Sequence, residues 1–345
     1  MNGNLIELEH PSTDLLPERK SIENLIWSTI YCPFALKLNE HIDALMHHTE
    51  AWLFESGLLV NRSSYQQFHR MNLHWFASSI YSDCDSDSLK LASDWVNMSL
   101  IWDEICKRAD VHKKVDELKR HAEKIGRVLH GQEATSSGDI PYVCALSALR
   151  DRTLPLGGAK LYRRLARDFD AFIRGCVTEV INRNAGTVLD IESYLHLRRD
   201  TGVTYPMMEL IELGNRIELP QEVLAYPHID TMMRMACNHV NMVNDLFSLY
   251  REIHDNDGHN LALVLHRQGL PLASAVRRVI DYCNGSIKLF MHAEAGLPSF
   301  GQDLDPLVGH YIAGLRSFLS GHLHWYAQTE RYQLDTRSCP IVVAW

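Results

Sequence analysis

The stretch Asn244-Asp245-Leu246-Phe247-Ser248-Leu249-Tyr250-Arg251-Glu252 constrains the fold more than any other. Asn244, Ser248 and Glu252 stand at i, i+4 and i+8. On an α-helix each step of four advances about 40° and about 6 Å, so the three form a stripe along one side. Around them Ala236, Val240, Met242, Val243, Leu246, Phe247 and Leu249 spread over the rest of the wheel. A helix apolar on most sides is buried, and its few polar groups need interior partners. The chain must therefore pack other elements around a helix that carries an amide carbonyl, a hydroxyl and a carboxylate inward. The bland alternative is a solvated polar face, which the apolar surroundings oppose. An all-oxygen set suits a hard divalent cation such as Mg²⁺ rather than zinc or copper.

The remaining sequence supplies helices to do this packing. No stretch shows sustained period-two alternation, so no sheet is expected. Helical periodicity covers, among others, 39–56, 63–81, 89–108, 112–130, 141–152, 159–184, 187–199, 206–213, 229–252, 271–295 and 305–330. The picture is all-α: a single-domain bundle of roughly ten to twelve helices over 21–332, with tails at 1–20 and 333–345. With 46% hydrophobic residues, the 345-residue chain can bury a sizeable core. The formal net charge of -9 disfavours a nucleic-acid backbone or an anionic membrane as partner. No apolar window long enough to span a bilayer is present, and the N-terminal stretch is unlike a signal or transit peptide. Eight scattered cysteines without a C-x-x-C pair suit reduced thiols, and a cytoplasmic location is expected.

Three further clusters stand out. Asp103 and Glu104 lie side by side near the end of a strongly apolar helix, where adjacent carboxylates repel unless a cation sits beside them. The plain alternative is a helix emerging into water. Arg198 and Arg199 precede the break at Gly202. They are either an ordinary helix end, where cations are favoured, or a bidentate grip on a diphosphate. Trp325 and the pair Arg331-Tyr332 follow the long helix 305–330 and mean little alone.

The pattern N-D-x-x-S-x-x-x-E at 244–252 resembles the second metal motif of class I terpene synthases of the microbial type. Asp103-Glu104 resembles the family's aspartate-rich motif, and 141 residues separate Asp103 from Asn244 as the family requires. The third acid of that motif is replaced by Lys107, and Asp110 lies two turns from Asp103. The resemblance implies a diphosphate-sensing arginine 46 positions before Asn244, which selects Arg198 over Arg199. It gives Thr201 as linker and Gly202 as the residue whose carbonyl helps start ionisation. Arg251, Arg331 and Tyr332 match diphosphate-binding positions, and Trp325 matches a cavity tryptophan.

The implied protein is a terpene cyclase. Asp103, Asn244, Ser248 and Glu252 would hold three Mg²⁺ ions, with Glu104 as a further candidate. Arg198, Arg251, Arg331 and Tyr332 would bind the diphosphate of an isoprenoid substrate, farnesyl diphosphate by family frequency. A homodimer is left open. Two rivals share the scaffold: a chain-elongating prenyl transferase, which would need a second aspartate-rich motif at 244–248, and an inactive helical binding protein, kept in play by Lys107.

Overall fold

The computed structural model describes residues 19–59, 61–107 and 114–332. Among them fourteen helices and no strand are found. In chain order they are α1 Arg19–Thr29, α2 Ile42–Glu55, α3 Arg62–Arg70, α4 Leu73–Ile80, α5 Ser86–Lys107, α6 Val115–Leu129, α7 Pro141–Ala185, α8 Ile191–Thr201, α9 Thr204–Asn215, α10 Gln221–Leu224, α11 Pro227–His254, α12 Leu261–Arg267, α13 Leu272–Ala295 and α14 Asp305–Trp325.

The helix with the polar stripe, α11, lies chiefly along α13 and also meets α8, α9, α12 and α14. Such wide contact is what its all-round apolar surface demands. Opposite it, α5 buries nearly every residue from Ser88 to Cys106 against α2, α4, α7 and α9. Trp95, Trp102, Tyr142, Phe169 and Phe172 fill the α5–α7 contact. Each fully buried side chain of this size contributes on the order of 1.5–3 kcal/mol.

Three breaks differ from the sequence expectation. The segment 63–81, expected as one helix, divides at Asn72, whose φ of 56 stops α3 before α4 begins. Asparagine tolerates this left-handed conformation better than most residues. The break leaves the Met71 carbonyl free to accept from Trp325 Nε1 at 2.7 Å. The two helices expected at 141–152 and 159–184 are present as two runs of α7 that meet in a kink at Gly158, with φ 72 and ψ 170, but the first continues past its expected end through Pro155. Thr153 holds the turn before the proline by donating to Leu149 O at 2.7 Å, and Leu154 and Leu156 pack on the core. The four-residue α10 was not foreseen, and with these changes the helices number fourteen rather than ten to twelve.

The seven described cysteines are all free thiols. Among the described residues no helix is long and apolar enough to cross a membrane.

Candidate active site

Between α5 and α11 lies a cleft with about 800 Å³ of space not filled by atoms, counting its open mouth. From α5, Ser99, Asp103 and Lys107 face it, spaced at one helical turn. From the opposite wall come Asn244 and Glu252 of α11, with Arg198, Thr201 and Gly202 at the end of α8. Arg331, Tyr332 and Trp325 complete the rim.

The α5 acids are held by fixed cations. Lys107 Nζ stands 2.9 Å from Asp103 Oδ2, and Arg331 Nη2 donates to the same oxygen. Arg331 Nη2 also lies 2.8 Å from Glu104 Oε1, and Arg251 Nη2 lies 3.5 Å from that oxygen. Burial would raise the Asp103 carboxyl, but Lys107, Arg331 and Arg251 together pull it well below the usual range. Glu104 is likewise lowered, burial being outweighed by Arg251 and Arg331. Arg331 Nη1 donates to Tyr332 Oη at 3.0 Å. The segment bearing the pair is pinned where Glu330 N donates to Arg70 O at 3.0 Å. Asp110 lies outside the described residues.

The α11 stripe is less encumbered. Ser248 is 2% exposed and its Oγ has no partner. Glu252 accepts from Asn260 Nδ2 at 2.7 Å. Burial, reinforced by Asp257 and Asp245, pushes its carboxyl up to about 8. Asn244 Oδ1 accepts from Arg198 Nη2 at 2.8 Å, while its Nδ2 donates to Tyr326 Oη at 2.8 Å and Tyr332 Oη at 2.9 Å. An orphaned hydroxyl beside a desolvated carboxyl is costly, and a hard cation would relieve both. The residues present therefore fit a divalent ion bound through oxygen. Among the described residues no group of three or more His, Cys, Asp or Glu gathers around a point.

Arg198 lines the cleft whereas Arg199 does not. Its orientation comes from Asp245, the sequence neighbour of Asn244 on the other side of α11. Asp245 Oδ1 accepts from Arg198 Nε at 3.0 Å, and Oδ2 accepts from Tyr194 Oη and from Leu261 N at 2.9 Å. Gly202 ends α8 with φ -74, so its role is space rather than unusual backbone. A Cβ there would lie 1.9 Å from Asn241 Oδ1. Asn241 Nδ2 in turn donates to Arg198 O at 3.0 Å, and its Oδ1 accepts from Thr204 Oγ1 at 3.1 Å. The Thr201 hydroxyl is buried without a partner. Trp325 is buried against Phe76, their ring centroids 4.7 Å apart.

Several residues of this site escape a reading of sequence. Asn241 extends the polar stripe by one turn, a signal that was available. Asp245, Tyr194 and Asn260 are joined only in space. So are Arg183, Asp257 and His259, where Arg183 Nη2 lies 2.7 Å from Asp257 Oδ2. Tyr326, stacked 4.4 Å from Phe247, gives no local sign of its contact with Asn244.

An all-α bundle whose cleft sets acids and a polar helix stripe against a cluster of arginines defines a protein built for a metal-bound anionic ligand. Residues 94–288 match the family described as terpene synthase family 2, C-terminal metal binding. Germacrene A synthase of Nostoc punctiforme is 30% identical over 90% of this chain and 96% of its own length. Sesquiterpene synthase Agr1 of Cyclocybe aegerita is 29% identical over 88% of this chain and 86% of its own. The solved structure of germacradien-4-ol synthase from Streptomyces citricolor superposes with a TM-score of 0.77 at 23% identity, covering 87% of this chain and 98% of that one. Linalool/nerolidol synthase from Streptomyces clavuligerus gives 0.78 at 22% identity, covering 86% and 99%. The chain belongs to the terpene synthase family.

Proposed function

We propose that this terpene synthase ionises farnesyl diphosphate, cyclises the allylic cation and releases diphosphate, working as one α-helical domain over 21–332. Asp103, Asn244, Ser248 and Glu252 would hold Mg²⁺, three ions in all by family likeness, with Glu104 as a further ligand. When bound, the ions supply Lewis-acid charge to the departing diphosphate.

The chain's own residues account for the rest. Arg198, Arg251, Arg331 and Tyr332 bind the diphosphate, the guanidinium forks meeting its oxygens in pairs. Asp245 orients Arg198, and Asn241 fixes the break at Thr201–Gly202. Phe76, Phe172 and Trp325 wall the cleft with apolar π-faces that exclude water and favour positive charge without attacking it. The observation that carries the reading is that Arg198, Arg331 and Tyr332 line one cleft with Asp103, Asn244 and the desolvated Glu252, with Arg251 behind them on Glu104 and the orphaned Ser248 hydroxyl one turn from Glu252 on α11. The C15 substrate is supported by the relatives named as sesquiterpene synthases.

The test is direct. Purified protein is incubated with C10, C15 and C20 isoprenoid diphosphates, with Mg²⁺ or with chelator, and volatiles are examined by mass spectrometry. Cyclic C15 products that vanish with chelator are expected. A chain-lengthened prenyl diphosphate would favour the prenyl transferase instead, and no turnover of any of the three would leave a binding protein.

A further inference from the structure

Two histidines face the cleft, and their surroundings shift their basicity in opposite directions. His259 Nδ1 lies 3.2 Å from Asp257 Oδ1, and its backbone N–H donates to the same oxygen at 3.1 Å. Burial lowers its basicity, but the Asp257 bond and nearby Glu179 outweigh this and raise it.

His322, on α14, has no such partner. It is 7% exposed, with ring centroids of Tyr326 at 5.3 Å, Phe76 at 5.4 Å, and Trp325 and Phe318 at 6.3 Å. Its Nδ1 is buried without a hydrogen bond. Burial first, then the charges of His239 and Arg198, push its basicity down to about 3. No carboxylate opposes them. The ring is thus a neutral imidazole in an aromatic wall, where a phenylalanine would pack without leaving a polar atom orphaned.

A neutral lone pair is the one chemical property this position adds to the wall. Phe76, Phe172, Trp325, Val240 and Met207, which line the same cleft, offer hydrocarbon, indole or thioether surface that does not take up a proton. We propose that His322 is the base that ends the reaction, removing a proton from the carbon beside the cationic centre so that the product leaves as an olefin. The assignment rests on the terpene-synthase reading above. The C–H electrons become the new C=C π bond, the cation is extinguished and an N–H bond forms on the imidazole. The proton then passes to the released diphosphate, the anion the reaction itself supplies, and the ring is neutral again. A weakly basic imidazole suffices, because a hydrogen beside a carbocation is far more acidic than imidazolium. The same weakness lets the proton leave.

The experiment compares wild type, His322→Phe and His322→Asn with farnesyl diphosphate and Mg²⁺. Diphosphate release is followed alongside product analysis, with substrate deuterated at the carbon that loses hydrogen. Wild type is expected to give mainly an olefin. In both variants diphosphate release should stay within about tenfold, while the share of that olefin falls about fivefold or more. Isomers or alcohols that lose hydrogen elsewhere should replace it. Thermal unfolding near that of wild type certifies the fold, and the smaller asparagine serves if phenylalanine overpacks. The same olefin, in the same share and with the same label lost, from either folded variant would overturn the assignment alone. A hydroxylated main product from wild type would also overturn it. Absence of diphosphate release by wild type with C10, C15 and C20 substrates would remove the terpene-synthase reading and this assignment with it.

Discussion

Lys107 reaches back one helical turn and places its ammonium 2.9 Å from an Asp103 carboxylate oxygen. A fixed positive charge therefore sits on the side of the cleft where a divalent ion would approach Asp103. On the proposed reading the lysine would compete for the carboxylate and repel the incoming cation. Lys107→Asp is expected to lower the Mg²⁺ midpoint for diphosphate release by about tenfold, the scale of 1–2 kcal/mol for charges this close at a partly solvated site. The product profile should stay as it is, since the aromatic wall is untouched. An unchanged midpoint would show that Lys107 has no hold on the ion.

Arg198 and Arg199 are adjacent, yet only Arg198 faces the cleft and is braced by Asp245. Arg198→Lys should lower turnover about a hundredfold, because an ammonium cannot keep the Asp245 contact and a forked grip on diphosphate together. Arg199→Lys should stay within about threefold of wild type. Steady-state kinetics of the two variants side by side decide the matter, and equal losses would refute the orientation.

Gly202→Ala tests the close approach at the end of α8. The added Cβ would meet Asn241 Oδ1 at 1.9 Å, so Asn241 must give up its contacts with Arg198 O and Thr204 Oγ1. Overpacking of this kind costs about 1–3 kcal/mol. Urea unfolding should register that loss, and turnover should fall further than stability explains. A variant as stable and active as wild type would mean that Asn241 moves freely.

A pH response is expected away from the cleft. Arg164 Nε lies 2.7 Å from Glu209 Oε2, and the same guanidinium also serves Glu212. One cation faces two buried carboxylates, and burial pushes Glu209 up from its ordinary 4.5 to about 7. The folded value exceeds the unfolded one, so this stabilising contribution is complete below about pH 4.5 and is lost as pH rises through about 7. The difference is on the order of 3 kcal/mol. Glu209→Gln should flatten the fall of the melting temperature between about pH 5 and pH 8. Parallel slopes for variant and wild type would place the proton elsewhere.

What the sequence reveals of this molecule follows from what is local. The stripe at Asn244, Ser248 and Glu252 is written in helical periodicity, and the apolar wheel around it announces burial. The divided helix 63–81 was missed because only φ at Asn72 betrays the break, and asparagine also sits comfortably in helices. Continuation of α7 through Pro155 was missed because tertiary packing of Leu154 and Leu156 overrides a local breaker. At the cleft, residues with a motif were found and those that act through space were not. His322 lies three residues before a tryptophan that was noticed, yet its orphaned nitrogen exists only once Phe76, Trp325 and Tyr326 close around it. The Glu209–Arg164–Glu212 trio is likewise a meeting of α7 and α9 with no pattern in the chain.

Asp245 joins α8 through Tyr194 and Arg198, and α12 through the Leu261 amide. It thereby makes the cleft an all-or-none object. The arginine that faces the cleft takes this pose only when α8 has docked on the neighbouring pair α11 and α12, so on the proposed reading a half-assembled molecule would lack a competent grip on a diphosphate. On the function proposed above, that coupling would keep ionisation from starting in a pocket whose walls are still open.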